Sequence, residues 1–376
     1  GVYDPVFAVT PQIIKNATPQ QSALAGGGLS ATTTSTTFLV SPSLTKSFAT
    51  GGGTYTLSFA NNRTNTSSTI SLINPFYSSN LALIVAQPLM RNRSIDANRH
   101  AIRVQKKRLE QSDSDFRART IQIISQVQAA YWNLVFGLRN QQNQLDSLNL
   151  SRQNMRNIEA QIAAGAKAPL DRAQVQTDIA TRESNLFIAT QTVSVAENTL
   201  KQLMLPDPAA PEWSAQLTPT DTPALDLSPV NLTAALDDAR KNRPELHRLN
   251  LQKDINTIDV QYYKNQIKPQ VDLVSTFALT GLAGAAQVAN LPTTLVGGYG
   301  QDLSNLFSFR TRNINVGVAI SFPIHNTTAR ANLAGARIQH DQLAALYRSQ
   351  DQAIEMDVRN AAQFVDTTQK RMVASR

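Results

Sequence analysis

Cysteine is absent from the 376 residues, and charged side chains are scarce. The first absence excludes disulfides, thiolate metal ligands and cysteine redox chemistry. Charged residues make up 16% of the chain, below the roughly 25% of soluble domains. No apolar run approaches the ~20 residues of a membrane-spanning helix, since the longest strand-like run covers only residues 81–86. A chain of this kind could cross a bilayer only as a closed β-barrel.

The formal net charge of +8 raises the question of nucleic-acid binding. Basic residues are mostly scattered, however, and no nucleic-acid-binding motif is visible, so we expect no nucleic-acid partner. The densest basic stretch, residues 91–108, holds seven Lys/Arg against one Asp. It fits either the solvated face of a helix or a contact with anionic lipid head groups at a membrane border.

Four segments alternate apolar and small polar side chains with a period of two, which predicts strands with one apolar face. They cover residues 54–59, 81–86, 270–279 and 314–322. The apolar members include Tyr55, Leu57, Phe59, Leu81, Leu83, Val85, Ile314, Val316, Val318, Ile320 and Phe322. The polar members include Thr54, Thr56, Ser58, Asn315 and Ser321. Alternation alone would also fit a half-solvated sheet in a soluble protein.

Long helices follow the strands. Residues 93–164 contain no proline, and their apolar side chains recur every seven residues in two series offset by three and four, the a/d seam of a coiled coil. Such a helix would be roughly 105 Å long. A Gly/Pro turn at residues 164–169 and a second heptad helix over residues 170–203 predict an antiparallel hairpin. Further helices are expected over residues 232–267, with a turn at Arg243-Pro244, and from about Thr327 onward.

The two halves of the chain share an order of strand, polar loop, strand, proline and long helix. This order predicts an internal two-fold repeat of about 240 residues. Pro88 ends a strand in the first half and Pro323 in the second, each just before a helix. Proline suits such a corner because it cannot donate to a strand ladder yet fits the first turn of a helix.

Five motifs, in this order along nearly all of the chain, resemble the TolC-type outer membrane efflux protein family (outer membrane factors). Residues 87–92 (Gln-Pro-Leu-Met-Arg-Asn) and 322–326 (Phe-Pro-Ile-His-Asn) resemble its two strand-to-helix corners. Residues 130–134 (Ala-Tyr-Trp-Asn-Leu) are similar to the aromatic stretch of its long helix, and residues 164–171 to its periplasmic tip turn. Residues 243–246 (Arg-Pro-Glu-Leu) resemble the marker that opens its second-half helices.

The resemblance implies an α+β membrane protein of the bacterial outer membrane. Three chains of four strands each would form a 12-stranded β-barrel, continued by an α-helical coiled-coil tunnel across the periplasm. The apolar strand faces would contact outer membrane lipid, the polar faces would line the lumen, and loops at residues 60–79 and 281–310 would face outside the cell.

The function that the resemblance implies is passive export of small molecules or proteins through a tripartite efflux or type I secretion system. A periplasmic adaptor and an inner-membrane pump would be the partners of the homotrimer. Five residues would lie at the tip that contacts the adaptor: Gly165, Lys167, Pro169, Leu170 and Asp171.

The segments expected on this basis are strands with an extracellular loop (1–90), a helical hairpin (91–205), an irregular equatorial segment (206–231), second-repeat helices (232–268), second-repeat strands with a loop (269–323) and a tunnel helix (324–376). The family pattern also has helices before the first strand and a returning helix after the last one. We therefore expect a processed or truncated chain. The glycines usual after the second corner are replaced by Asn326, Thr327 and Thr328, which leaves that helix start open.

Neither catalysis, a cofactor nor a metal is indicated. The histidines His100, His247, His325 and His340 are isolated in sequence, and no nucleophile motif or nucleotide-binding loop is visible. The alternative function is that of a soluble periplasmic coiled-coil adaptor or scaffold whose strands form a small β-domain. Solubility without detergent would favour that alternative.

Overall fold

The computed structural model describes residues 1–20, 32–221 and 228–375. In chain order the elements are β1 Val6–Pro19, β2 Thr32–Ser47, β3 Thr54–Thr66, β4 Ile73–Pro88, α1 Ala97–Ala163, α2 Leu170–Met204, α3 Leu232–Asn242, α4 Pro244–Gln266, β5 Gln270–Ala286, α5 Tyr299–Phe307, β6 Arg312–Ser321 and α6 Thr327–Ala374. Two compact units result: Gly1–Glu110 with Leu249–Tyr347, and Gln111–Arg248 with Arg348–Arg376.

One antiparallel sheet, in the order β1-β2-β3-β4-β5-β6, forms the centre of the first unit. The prediction of four strands per chain is therefore wrong: the four predicted strands are β3 to β6, and β1 and β2 add two more. The sequence of β2 conceals its strand character because threonine and serine dominate both of its faces. In β1, Pro11 argues against a strand interior, but an edge strand tolerates proline because one side of its ladder is unpaired.

The predicted loops are also shorter than expected. β3 and β4 continue to Thr66 and from Ile73, so only residues 67–72 form their turn, and β5 continues to Ala286. The halves of the chain are consequently unequal, with four strands before α1 and two after it. What the halves share is the corner at which a strand meets a proline and then a long helix.

Helix α5 occupies part of the second predicted loop and packs on β4 and β5. Asp302 and Leu306 of this helix are completely buried. The Asp302 carboxylate accepts hydrogen bonds from the Ser79 hydroxyl and, at 3.3 Å, from the Ser79 backbone N–H. Gly281 permits this approach, since a Cβ there would lie 2.3 Å from the carbonyl oxygen of Asp302.

The hairpin of α1 and α2 provides the core of the second unit. Ala130 and Leu134 of α1 pack against Val193 and Leu200 of α2, all four being buried. Polar pairs extend this antiparallel contact toward the turn: Gln141 with Thr190 at 2.9 Å, Arg152 with Glu183 at 2.7 Å and Arg172 with Glu159 at 3.4 Å. The heptad pattern therefore predicted the hairpin correctly. Ile124 and Leu145 of the same pattern are nevertheless 52% and 38% exposed, because α2 covers only part of the apolar stripe.

The predicted irregular segment at 206–231 follows α2, and residues 222–227 of it lie outside the described part of the chain. Its first half is fixed to α2 by two side chains. The Lys201 ammonium donates to the Trp213 carbonyl oxygen at 2.9 Å, and the Leu217 N–H donates to the Glu197 carboxylate at 2.9 Å. Glu197 and Lys201 also form an ion pair at 3.0 Å.

Acid should loosen this contact. Burial raises the pKa of Glu197, but the Leu217 N–H and the Lys201 ammonium outweigh burial, so the net pKa is lowered. A pKa that is lower in the folded than in the unfolded state stabilises the fold at pH values above the unfolded-state pKa. This contribution to the free energy of unfolding is lost as the pH falls through the folded-state pKa. We expect Trp213 fluorescence, in a Trp132→Phe background, to report release of the segment only as the pH falls below the value of about 4.3 at which an unperturbed glutamate titrates.

Glu197→Gln should remove this acid response, whereas Glu212→Gln in the same segment should retain it. An unchanged acid response in Glu197→Gln would contradict the assignment.

None of the helices in the described ranges combines the length and the apolar character that crossing a bilayer requires.

Candidate functional site

The strand register determines which side chains share a face of the sheet. Along one row, Phe7, Leu44, Leu57, Leu83, Phe277 and Ile314 are successive partners across all six strands. Because side chains alternate along a strand, this row and the period of two define an apolar face. On it lie the residues predicted to contact lipid: Tyr55, Leu57, Phe59, Leu81, Leu83, Val85, Ile314, Val316, Val318 and Ile320. Phe322, the last of that set, directly follows β6 and is 66% exposed.

The opposite face, the polar face, carries the residues predicted to line the lumen. Thr56 pairs with Thr45, Ser58 with Ser43, and Thr54 with Ser47, so hydroxyl-bearing side chains extend across several strands. Thr45 and Thr56 share a hydrogen bond of 3.2 Å. Asn315, opposite Thr276, and Ser321, opposite Gln270, lie on this face as well. The sheet therefore has one apolar and one hydroxyl-rich surface.

Both edges of the sheet lack a partner strand within the described chain. Every residue of β1 and of β6 is exposed. Apolar side chains on these edges are 68% exposed at Phe7, 66% at Ile13 and 68% at Val316. Unpaired backbone groups beside exposed apolar side chains form a surface on which another strand can pair.

Each strand-to-helix corner contains an asparagine in the left-handed backbone region, Asn92 with φ 66° after Pro88 and Asn326 with φ 43° after Pro323. Asparagine tolerates this region better than other side chains except glycine. The Asn92 N–H donates to the Asn265 side chain at 2.7 Å, and the Asn326 amide donates to the Ile267 carbonyl oxygen at 3.2 Å. The helix start left open by the sequence is settled by Asn326, after which α6 begins at Thr327.

The tip of the α1–α2 hairpin is an exposed turn. Gly165 has φ 76°, and the Ala166 N–H donates to the Gln161 carbonyl oxygen at 2.9 Å, a glycine-terminated helix end. Leu170 is 79% exposed, and no heavy atom lies within 4 Å of a Cβ placed on Gly165. Lys167 and Pro169 are exposed too, and Asp171 lies in the first turn of α2. Four of the five predicted tip residues are thus exposed, and Asp171 is half-buried.

The basic stretch at residues 91–108 is partly neutralised within the first unit. Arg99 pairs with Asp96 at 2.9 Å, and Lys107 pairs with Glu110 at 2.8 Å. His100 is not isolated in the fold, because its Nε2 lies 2.6 Å from the Asp259 carboxylate and its ring stacks on Tyr262. No cluster of three or more potential metal ligands occurs in the part of the chain that the structure describes.

Comparison with models of protein families and with curated proteins gives no match. Solved structures, in contrast, share the fold. The outer-membrane channel OprN aligns over 99% of this chain and 68% of its own, with a TM-score of 0.63 and 18% identity. The open state of the MtrE outer membrane channel of Neisseria gonorrhoeae aligns over 99% and 67%, with a TM-score of 0.56 and 16% identity. The outer membrane protein VceC of Vibrio cholerae aligns over 98% and 70%, with a TM-score of 0.56 and 14% identity. The chain has the fold of TolC-type outer membrane channels, as the five sequence motifs predicted.

Proposed function

We propose that this protein is a subunit of a passive efflux channel in the bacterial outer membrane. The observation that carries the proposal is the six-stranded sheet, with one apolar face, one polar face and two unpaired edges, in a chain with the fold of outer membrane channels. Such a sheet suits a wall between lipid and water. Its apolar face would contact the membrane and its hydroxyl-rich face would line the lumen.

Assembly follows from the edges. Lipid does not tolerate unpaired strand edges, and six strands are fewer than the roughly eight of the smallest outer membrane barrels. We therefore expect β6 of one copy to pair with β1 of the next. Three copies, the number that the family resemblance implies, would close a barrel of eighteen strands rather than the twelve expected from sequence.

The long helices support a multi-chain tunnel. Large apolar side chains on α1 and α2 are uncovered in a single chain, with Phe136 71% and Phe187 73% exposed. Ile124 and Leu145 of the heptad stripe are also 52% and 38% exposed. In a trimer these side chains would pack against helices of neighbouring copies and so form the wall of a periplasmic tunnel.

The exposed hairpin tip is proposed to contact a periplasmic adaptor, through which an inner-membrane pump would deliver cargo for efflux or type I secretion. Leu170→Glu should reduce adaptor binding and export about tenfold, because a charge replaces a largely exposed apolar contact. Native mass spectrometry should show unchanged assembly. Asn185→Glu is the matched control, since it introduces the same charge at an exposed position of α2 away from the tip. Undiminished export by Leu170→Glu would contradict the role of the tip.

The decisive test of the function is the mass of the protein extracted from outer membranes, measured by native mass spectrometry in detergent. A trimer that resists dissociation, together with ion conductance in planar bilayers, would support the channel. A monomer or dimer that remains soluble without detergent would contradict it and favour the periplasmic scaffold.

A further inference from the structure

The charged residues of the strands are distributed unequally between the two faces. Four basic residues occur in the strands, Lys15, Lys46, Arg63 and Arg312, and all four lie on the apolar face. The one acidic residue, Asp272, pairs with Ala319 and lies on the polar face. On the apolar face the strands therefore contribute only positive charge, which fits a neighbour that is itself apolar with an anionic border. A phosphate-bearing lipid has this character.

Three of these cations mark one border of the apolar face. Lys15, Arg63 and Arg312, named here the basic collar, lie toward the loop end of the sheet, where the β3–β4 turn and α5 are found. Lys46 lies toward the opposite helix end, where β4 and β6 lead into α1 and α6. All three collar side chains are exposed, and no carboxylate of the described residues lies within ion-pair distance of them.

The three collar residues lie along a line that crosses the strands obliquely. A membrane border should cross them in the same way, because the strands of a barrel are tilted relative to the membrane. Starting from the row that joins Ile314 to Phe7, Arg312 lies two residues toward the loop end, and Lys15 lies eight residues toward it. The border therefore shifts by six residues over five strand-to-strand steps. At ~3.4 Å per residue and ~4.8 Å between strands, this shift corresponds to a strand tilt of about 40°. Outer membrane barrels have tilts of roughly 35–45°.

Helix α5 covers the apolar face of the sheet toward its loop end. It covers Ser79 and Gly281, the small residues that follow Leu81 and Leu279 on this face toward the loop end. The Tyr299 hydroxyl of α5 donates to the Asn61 side chain on β3 at 2.8 Å. The apolar surface open to lipid therefore ends near the height at which the basic collar lies.

We propose that the basic collar binds the phosphate groups of anionic lipids that surround the loop end of the sheet. The inference rests on the proposed function, because it requires the apolar face to contact a membrane. The long side chains of Lys15, Arg63 and Arg312 extend along the apolar surface while their charged ends reach the head groups. Their positions on β1, β3 and β6 distribute the contacts around the whole assembly.

The test uses the full chain in phosphatidylcholine nanodiscs with and without phosphatidylglycerol. Native mass spectrometry counts the phosphatidylglycerol molecules that remain bound to the released assembly. The triple variant Lys15→Gln, Arg63→Gln, Arg312→Gln should retain several-fold fewer of them than the parent, with the same number of chains. The triple variant Arg139→Gln, Arg156→Gln, Arg348→Gln removes the same charge from exposed helical positions and should retain as many as the parent.

Equal retention by the collar variant and the parent, or equal loss in the control, would overturn the lipid site while leaving the channel intact. A parent chain that does not enter nanodiscs as an assembly would instead overturn the proposed function and the lipid site together. In nanodiscs without phosphatidylglycerol, the parent and both variants should assemble equally.

Discussion

Cysteines introduced together by Val9→Cys and Val318→Cys are expected to cross-link neighbouring copies into a ladder that ends at three chains. The tilt of the apolar border predicts the register at the junction between β6 and the next β1. The border shifts by just over one residue per strand. Across the junction, Lys15 of one copy and Arg312 of the next should therefore differ by about one residue in their position along the strands. Antiparallel pairing then places Val9 opposite Val318 on the same face, with Cβ atoms about 5 Å apart.

The absence of native cysteine makes this experiment direct, because every cross-link must join the introduced residues. The matched control combines Val9→Cys with Asn315→Cys, whose side chain lies on the opposite face and cannot reach. Val316→Cys and Ile320→Cys test a register shifted by two residues in either direction. If none of the three positions on β6 cross-links with Val9→Cys after copper-catalysed oxidation, the proposed closure is wrong.

Gly281→Val is expected to release α5 from the sheet. A Cβ at this position would lie 2.3 Å from the carbonyl oxygen of Asp302 and 2.7 Å from its carboxylate, so the helix must move. Displacement exposes Leu306 and separates the Asp302 carboxylate from Ser79. Trypsin cleavage after Arg310 should accelerate by at least about tenfold, because cleavage follows the population of the open segment.

Gly317→Val provides the control, because no heavy atom lies within 4 Å of a Cβ at Gly317 in β6. Valine favours strands, so neither variant should weaken the sheet itself. Cleavage of Gly281→Val at the rate of the parent would show that α5 is not fixed by this contact. Ser79→Ala, which removes one donor to a buried carboxylate, should give an intermediate acceleration.

The sequence predicted the elements whose signals are local and repeated. The heptads around Leu134 and Val193 specify the α1–α2 hairpin, and period-two alternation specifies β6 and the centres of β3 and β4. Proline in front of each helix predicted both corners. In each case one physical requirement acts on residues that are close in sequence, such as burial of an apolar stripe or the missing backbone N–H of proline. Such a requirement produces a pattern that can be recognised in the sequence.

The elements that the sequence did not reveal depend on tertiary partners. β2 is a strand because β1 and β3 pair with it on both sides, although its threonines and serines show little contrast between faces. α5 is short, and its docking requires the buried Asp302 to meet Ser79, which lies 223 positions earlier in the chain. The collar could not be recognised either, since Lys15, Arg63 and Arg312 share a face only through the six-strand register.

The two unpaired edges of the sheet have a consequence for biogenesis. A lone copy would leave the outer backbone groups of β1 and β6 without hydrogen-bond partners in hydrocarbon, at a cost of several kcal/mol for each group. For the channel proposed above, insertion and closure are therefore expected to occur as one concerted event rather than one after the other. If the proposed channel assembles in this way, its rate of formation should rise more steeply than linearly with the supply of chains, and a chain that waits before assembly would need a partner to cover both edges.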